Sequence, residues 1–140
     1  TIVNTYFLNS RMLENWGIVK MAKHEYKESI EEMQHADSFI KRILMLDGLP
    51  NMQELGKLYI GENVKEVIEC DLKLEMEGAK YYKEAIAHCE SVGDYVSRDL
   101  FSKILADEEE HEDHLETQLK LIEQMGLPGY IQMQSEPEEE

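Results

Sequence analysis

Glu32 and His35, and again Glu108 and His111, stand three residues apart in the middle of two long helical patterns. Residues at that spacing share one face of a helix, so each pair can offer a carboxylate and an imidazole to one metal ion. A third helical pattern carries Glu75 in its apolar stripe. Two Glu-x-x-His units and a bridging carboxylate, all pointing into a helix bundle, make the ligand set of a di-iron carboxylate centre. One such unit alone is a weak signal. Two of them with a third inward Glu are a strong one.

The stripes that must position these groups are regular. On the third helix the inward line reads Ile68, Leu72, Glu75, Ala79, Tyr82, Ile86, Cys89, with Glu75 its only charge. On the fourth it reads Phe101, Ile104, Glu108, His111, Leu115, Leu119, Ile122, so Glu108 and His111 occupy positions suited to leucine. An ionised carboxylate in a dry core costs several kcal/mol unless it is paired or bound to metal. Acids and histidines converging at mid-bundle height therefore want cations. The neighbours Glu109, Glu110, Glu112 and Asp113 read as a solvated acidic face, with an iron-attracting surface as the alternative.

Element boundaries follow from caps and breakers. A first helical pattern, about Thr1 to Asn15, puts Ile2, Tyr6, Asn9, Leu13 and Trp16 on one line and breaks at Asn15-Trp16-Gly17. The second ends near Asp47-Gly48, with Pro50 just beyond, a stop signal. Leu49 to Glu62 lacks a sustained period and is long enough to carry the chain the length of a bundle, so that helices two and three run parallel. Asn63 caps a third helix with Glu66 at its third position, a capping box in Asn form. Asp94 caps a fourth that ends at Gly126, and Tyr130 to Gln134 reads as a short fifth. The expectation is an all-α, up-down-down-up four-helix bundle with a long crossover and a short fifth helix. It forms one domain over residues 1–135, followed by an acidic tail, 136–140, too charged to pack.

The chain has 140 residues, with 14 Lys and Arg against 30 Asp and Glu, a formal charge of −16. That balance argues against nucleic acid or anionic membrane as a partner, and no apolar run is long enough to span a bilayer. No signal peptide is visible. Cys70 and Cys89 fall on one helix at roughly 28 Å separation, beyond disulfide reach, which fits a reducing, cytoplasmic home.

The second helix is apolar over about half its circumference, more than the stripe of roughly 100° that a bundle core requires. The surplus (Tyr26, Ile30, Met33, Leu44) points away from the side of Ala36, Phe39 and Ile43. Such a strip suggests a partner surface, most simply a two-fold dimer. Met33 taken by itself is an interface filler.

At Glu31-Glu32-Met33-Gln34-His35-Ala36-Asp37 and Asp107-Glu108-Glu109-Glu110-His111 the chain resembles bacterioferritin. The likeness runs over nearly its whole length and takes in Gly48 to Asn51, Leu55 to Glu62 and Asp94 to Asp99. It implies a ferritin-like bundle assembled as two-fold dimers in a hollow shell of twenty-four subunits, a ferroxidase that oxidises Fe(II) with O2 or peroxide and stores the ferric mineral. Glu32 and Glu75 would bridge two irons, with His35, Glu108 and His111 as terminal or shared ligands and Tyr6 as the tyrosine beside them. A b-type haem shared by two subunits would lie between one Met33 from each, near Tyr26, and would pass electrons from a reductant protein for iron release.

The resemblance has three departures. The family's remaining terminal Glu falls ahead of Thr1, so we expect the first helix to start earlier than this sequence does; the alternative is a subunit with a crippled oxidation centre. His114 stands where some members have Trp, and Lys27 where some have an inner-surface His. Rival readings are a non-storing di-iron oxidase or peroxidase of the rubrerythrin kind, a haem-bearing subunit with an inactive centre in a mixed shell, and a haem-free ferritin.

Overall fold

The computed structural model describes residues 1–51, 56 and 58–136. Five helices follow one another: α1 (Ile2–Asn15), α2 (Val19–Met45), α3 (Val64–Ser91), α4 (Tyr95–Met125) and α5 (Leu127–Ser135). There is no strand among the described residues. α1 packs along α2 and α3 along α4, and α5 lies against α2 and α4. This is the expected all-α architecture, two hairpins joined by a crossover with a short fifth helix.

The turns are set by local chemistry. Gly17 and Gly93 take left-handed φ values of 84° and 74° at the two hairpin turns, a conformation that costs glycine least. Asn63 Oδ1 accepts the Glu66 N–H at 3.0 Å, and Asn63 Nδ2 donates to Glu66 Oε2 at 2.6 Å. The expected capping box is thus present, closed through the Asn side-chain amide. Asp94 Oδ1 accepts the Ser97 N–H at 3.1 Å and Arg42 Nη2 at 3.1 Å, while Arg42 Nε donates to Ser97 Oγ at 2.9 Å. That clamp ties the last turn of α2 to the first of α4.

The crossover is non-helical at its described residues, as its lack of period implies; Met52 to Leu55 and Lys57 lie outside the described residues. Gly61 is buried where it meets the start of α3, and a Cβ there would come 2.5 Å from the Val67 backbone nitrogen. Only glycine fits that approach. The fifth helix is longer than expected: Pro128 sits in its first turn, where a missing N–H costs nothing.

Apolar packing occupies both ends of the bundle and leaves a polar layer between. At one end Leu13, Met21, Val67, Ile68, Leu115 and Tyr130 form the main core. At the other, Phe39, Tyr82 and Phe101 have ring centroids 5.2 to 6.3 Å apart. Residues 32–35, 75 and 108–111 fall between these ends along their helices.

Some expectations need correction. Trp16 is exposed, at the very end of α1. Leu72 is only partly buried, and Asp71 is wholly buried instead; Glu75 is therefore not the only charge on the inner side of α3. The surplus strip of α2 holds at Tyr26, Ile30, Met33 and Leu44, all exposed, but Ile43, expected on the opposite, inward side, is exposed as well. Cys70 and Cys89 are both free thiols. Among the described residues no helix is long and apolar enough to cross a membrane. Of the expected acidic tail, Glu136 follows α5 in extended conformation and residues 137–140 lie outside the described residues.

Candidate metal centre

Helix α2 supplies Glu32 and His35, α3 Glu75, α4 Glu108 and His111, and α1 Tyr6; all six are buried. Ligand atoms of Glu32, Glu75, Glu108 and His111 lie within 4.8 Å of one another. His35 Nδ1 completes the group, 3.4 Å from Glu32 Oε2 and 3.3 Å from Glu108 Oε1. His111 Nδ1 lies 3.4 Å from both Glu32 Oε1 and Glu75 Oε1. Glu32 thus turns one oxygen to each histidine. The Tyr6 hydroxyl donates to Glu75 Oε1 at 2.6 Å. The sequence-predicted donors converge.

Whether these residues suit a metal can be tested on their hydrogen bonding. Glu32 Oε1, His35 Nδ1, Glu75 Oε2, Glu108 Oε1 and His111 Nδ1 are buried without a hydrogen-bond partner. Buried polar atoms are nearly always paired, and an orphan costs about 1–3 kcal/mol. Cations placed among these side chains would satisfy the five orphans together. The outward nitrogens, by contrast, are held: His35 Nε2 lies 3.0 Å from Asp107 Oδ2, and His111 Nε2 lies 2.8 Å from Glu28 Oε2 and 3.0 Å from Glu31 Oε2. A carboxylate on the far nitrogen of a ligating histidine fixes the ring and leaves its other lone pair for the metal. Carboxylate oxygens with imidazole suit first-row divalent ions such as iron, manganese or zinc.

The electrostatics agree. Burial by itself would raise the Glu32 carboxyl, but contacts with His111 and His35 outweigh it and hold the group below the ordinary range. Burial would likewise lower His35 and His111, yet Glu32 and Asp107 raise the first, and Glu28, Glu32 and Glu75 raise the second. Glu75 is pushed up, chiefly by burial.

A second buried group was not read from the sequence. Glu25 and Asp71 are almost inaccessible, with Asn9 Nδ2 donating to Asp71 Oδ1 at 3.2 Å. Burial pushes Asp71 up to about 7, and burial together with Asp71 raises Glu25 well above the carboxylate range. His24 and His114 face each other with ring centroids 4.3 Å apart; burial lowers both, and each is lowered further by a neighbouring histidine. Met33 and Tyr26 stand apart from the cluster, on the exposed face of α2. Glu108 also lines a cavity of about 450 Å³ with Leu74, Gly78 and Tyr82.

Residues 1–125 match the family model described as ferritin-like domain. The chain is 50% identical to the bacterioferritin of Brucella melitensis over 99% of its own length and 86% of that protein's. It is 46% identical to the bacterioferritin of Rhodobacter capsulatus, over 98% and 85% of the two chains. The chain belongs to the bacterioferritin family. Identity to bacterioferritin BfrA of Mycobacterium tuberculosis is 47%, over 93% of this chain and 82% of that one. In this bacterioferritin-family chain the matched span takes in all six cluster side chains and Met33.

Proposed function

We propose that this chain stores iron, oxidising Fe(II) between its two Glu-x-x-His units and retaining the ferric product inside a shell of twenty-four copies. The observation that carries this reading is the set of five buried donor atoms left unpaired at one point in the bundle. Fe(II) is the substrate. Glu32, with an oxygen toward each histidine, and Glu75 bridge two ions; His35 and Glu108 hold one side, His111 the other. Tyr6 fixes the Glu75 carboxylate through its 2.6 Å hydrogen bond. Asp107, Glu28 and Glu31 aim the two rings. Two ions together supply two electrons, which with two protons reduce O2 to peroxide or peroxide to water. Anionic oxygens favour the more highly charged ferric state, so the ligand set draws the oxidation forward.

The exposed strip on α2 fits the face where two subunits meet. Met33, 54% exposed with Tyr26 and Ile30 beside it, presents a free thioether on apolar ground, which suits a haem shared by two chains. Met33 would hold such a haem, which would supply one-electron transfer at a potential raised by thioether ligation, the place where a reductant protein would deliver electrons for iron release. The domain is residues 1–135 with 136–140 as an acidic tail, and the setting is the cytoplasm.

Aerobic addition of Fe(II) followed by size-exclusion chromatography tests the storage reading. Iron should co-elute with protein at the size of a shell of 16.3 kDa chains. Oxidised iron that never stays with the protein, or a dimer-sized peak, would leave a non-storing oxidase as the answer. Met33→Leu should abolish the Soret band of haem-loaded protein and spare Fe(II) oxidation. A Soret band unchanged by that substitution would rule out Met33 as the axial ligand.

A further inference from the structure

The buried pair Glu25 and Asp71 supplies no ligand to the centre, yet it is aligned with it. On α1 Asn9 stands three residues after Tyr6, on α3 Asp71 four before Glu75, and on α2 Glu25 seven before Glu32. Each step returns to the same helix face. A polar layer of Asn9, Glu25 and Asp71 therefore lies one to two turns along the bundle from Tyr6, Glu32 and Glu75.

Glu25 is 1% exposed and Asp71 0%, and their carboxyls are hydrogen-bonded to each other. Two carboxylates are acceptors only, so that bond needs a proton held between them. Burial, the chief cause, keeps it there: Asp71 is pushed up to about 7 and Glu25 well above the carboxylate range. Around the pair stand Tyr6 of α1, His24 and Glu28 of α2, Glu75 of α3, His114 of α4 and Tyr130 of α5. Glu25 also sits at a junction. On one side it lines a cavity of about 140 Å³ that reaches the partly exposed Lys20 and Gln134. On the other it lines a hole of about 10 Å³ bounded by Tyr6, Glu28 and His111, the size of a single water. Two desolvated acids stabilise a fold less than apolar side chains of the same volume, so packing alone does not account for them.

We propose that Glu25, positioned by Asp71, transfers protons from the larger cavity to the oxidant at the centre. This rests on the reading of the centre given above, in which two electrons from Fe(II) are accompanied by two protons. In each transfer the Glu25 O–H bond breaks and the proton crosses the water-sized hole to the reduced oxidant. The pair, left doubly negative, regains a proton from solvent through the larger cavity.

Infrared spectra of metal-free protein test the shared proton without iron: the carbonyl band of a protonated carboxyl should be present and should weaken in Glu25→Gln/Asp71→Asn. A spectrum unchanged by that double substitution would overturn the proposal. Glu25→Gln should bind Co(II) with the stoichiometry and visible bands of the unaltered protein, yet oxidise Fe(II) about a hundredfold more slowly, as loss of a positioned proton donor implies. Its rate should show a larger solvent deuterium isotope effect, and Glu25→Asp, which keeps a carboxyl, should recover most of the loss. Oxidation as fast in Glu25→Gln as in the unaltered protein would overturn the relay and leave the centre standing. Loss of cobalt from Glu25→Gln would make the pair a structural support and overturn the relay equally. Unaltered protein that neither binds Co(II) nor oxidises Fe(II) would instead refute the reading of the centre.

Discussion

Replacing Glu108 and His111 together by alanine is expected to slow Fe(II) oxidation by about a hundredfold or more, since even outer partners of metal ligands are worth 10–100-fold. Glu108 lies 3.3 Å from His35 Nδ1, and His111 Nδ1 faces Glu32 and Glu75 at 3.4 Å, so the pair removes a donor from each half of the centre. Stopped-flow absorbance after mixing with Fe(II) and O2 reads the rate. Helix content, measured on the same samples, should stay near that of the unaltered chain because the apolar ends of the bundle are untouched. A rate unchanged by the double substitution would remove the centre from the mechanism.

Saturating Zn(II) or Co(II) is expected to raise the melting temperature of the metal-free protein by roughly 10 °C or more. A ligand at a thousand times its dissociation constant contributes about 4 kcal/mol, and a chain of this size gains about 3 °C per kcal/mol. The source is the orphaned set Glu32 Oε1, His35 Nδ1, Glu75 Oε2, Glu108 Oε1 and His111 Nδ1, which a cation satisfies in the folded state only. Glu75→Gln should give a smaller rise, because the amide offers a weaker donor at the bridging position. Calorimetric scans with no metal-dependent shift would mean that the cluster holds no cation.

The donors of this centre were legible because helical geometry is local. Glu32 with His35, and Glu108 with His111, share a face whatever the rest of the chain does. Capping at Asn63 and Asp94 is local too, and both caps form. What the sequence did not disclose depends on two helices at once. Asp71 neighbours Leu72, and one residue of helix is a rotation of about 100°; only the arrival of Glu25 and Asn9 from α2 and α1 decides which of the two is buried. Asp107 and Glu31 look like members of acidic runs until the histidine opposite each is placed. The clamp of Arg42 on Asp94 and Ser97 joins residues more than fifty positions apart. His24 and His114 are unremarkable singly and meet only across the α2–α4 contact.

The tethering of each imidazole from behind divides the centre into a dry side and a wet side. Inward nitrogens sit among inaccessible oxygens, while Asp107 and Glu31, which aim them, keep side-chain exposures of 36% and 38%. Chemical identity of the site is therefore fixed in the interior, whereas alignment is shared between the exposed Asp107 and Glu31 and the more buried Glu28, 14% exposed and 2.8 Å from His111 Nε2. Substitutions at the rim would leave the complement of donors intact yet loosen how sharply they point.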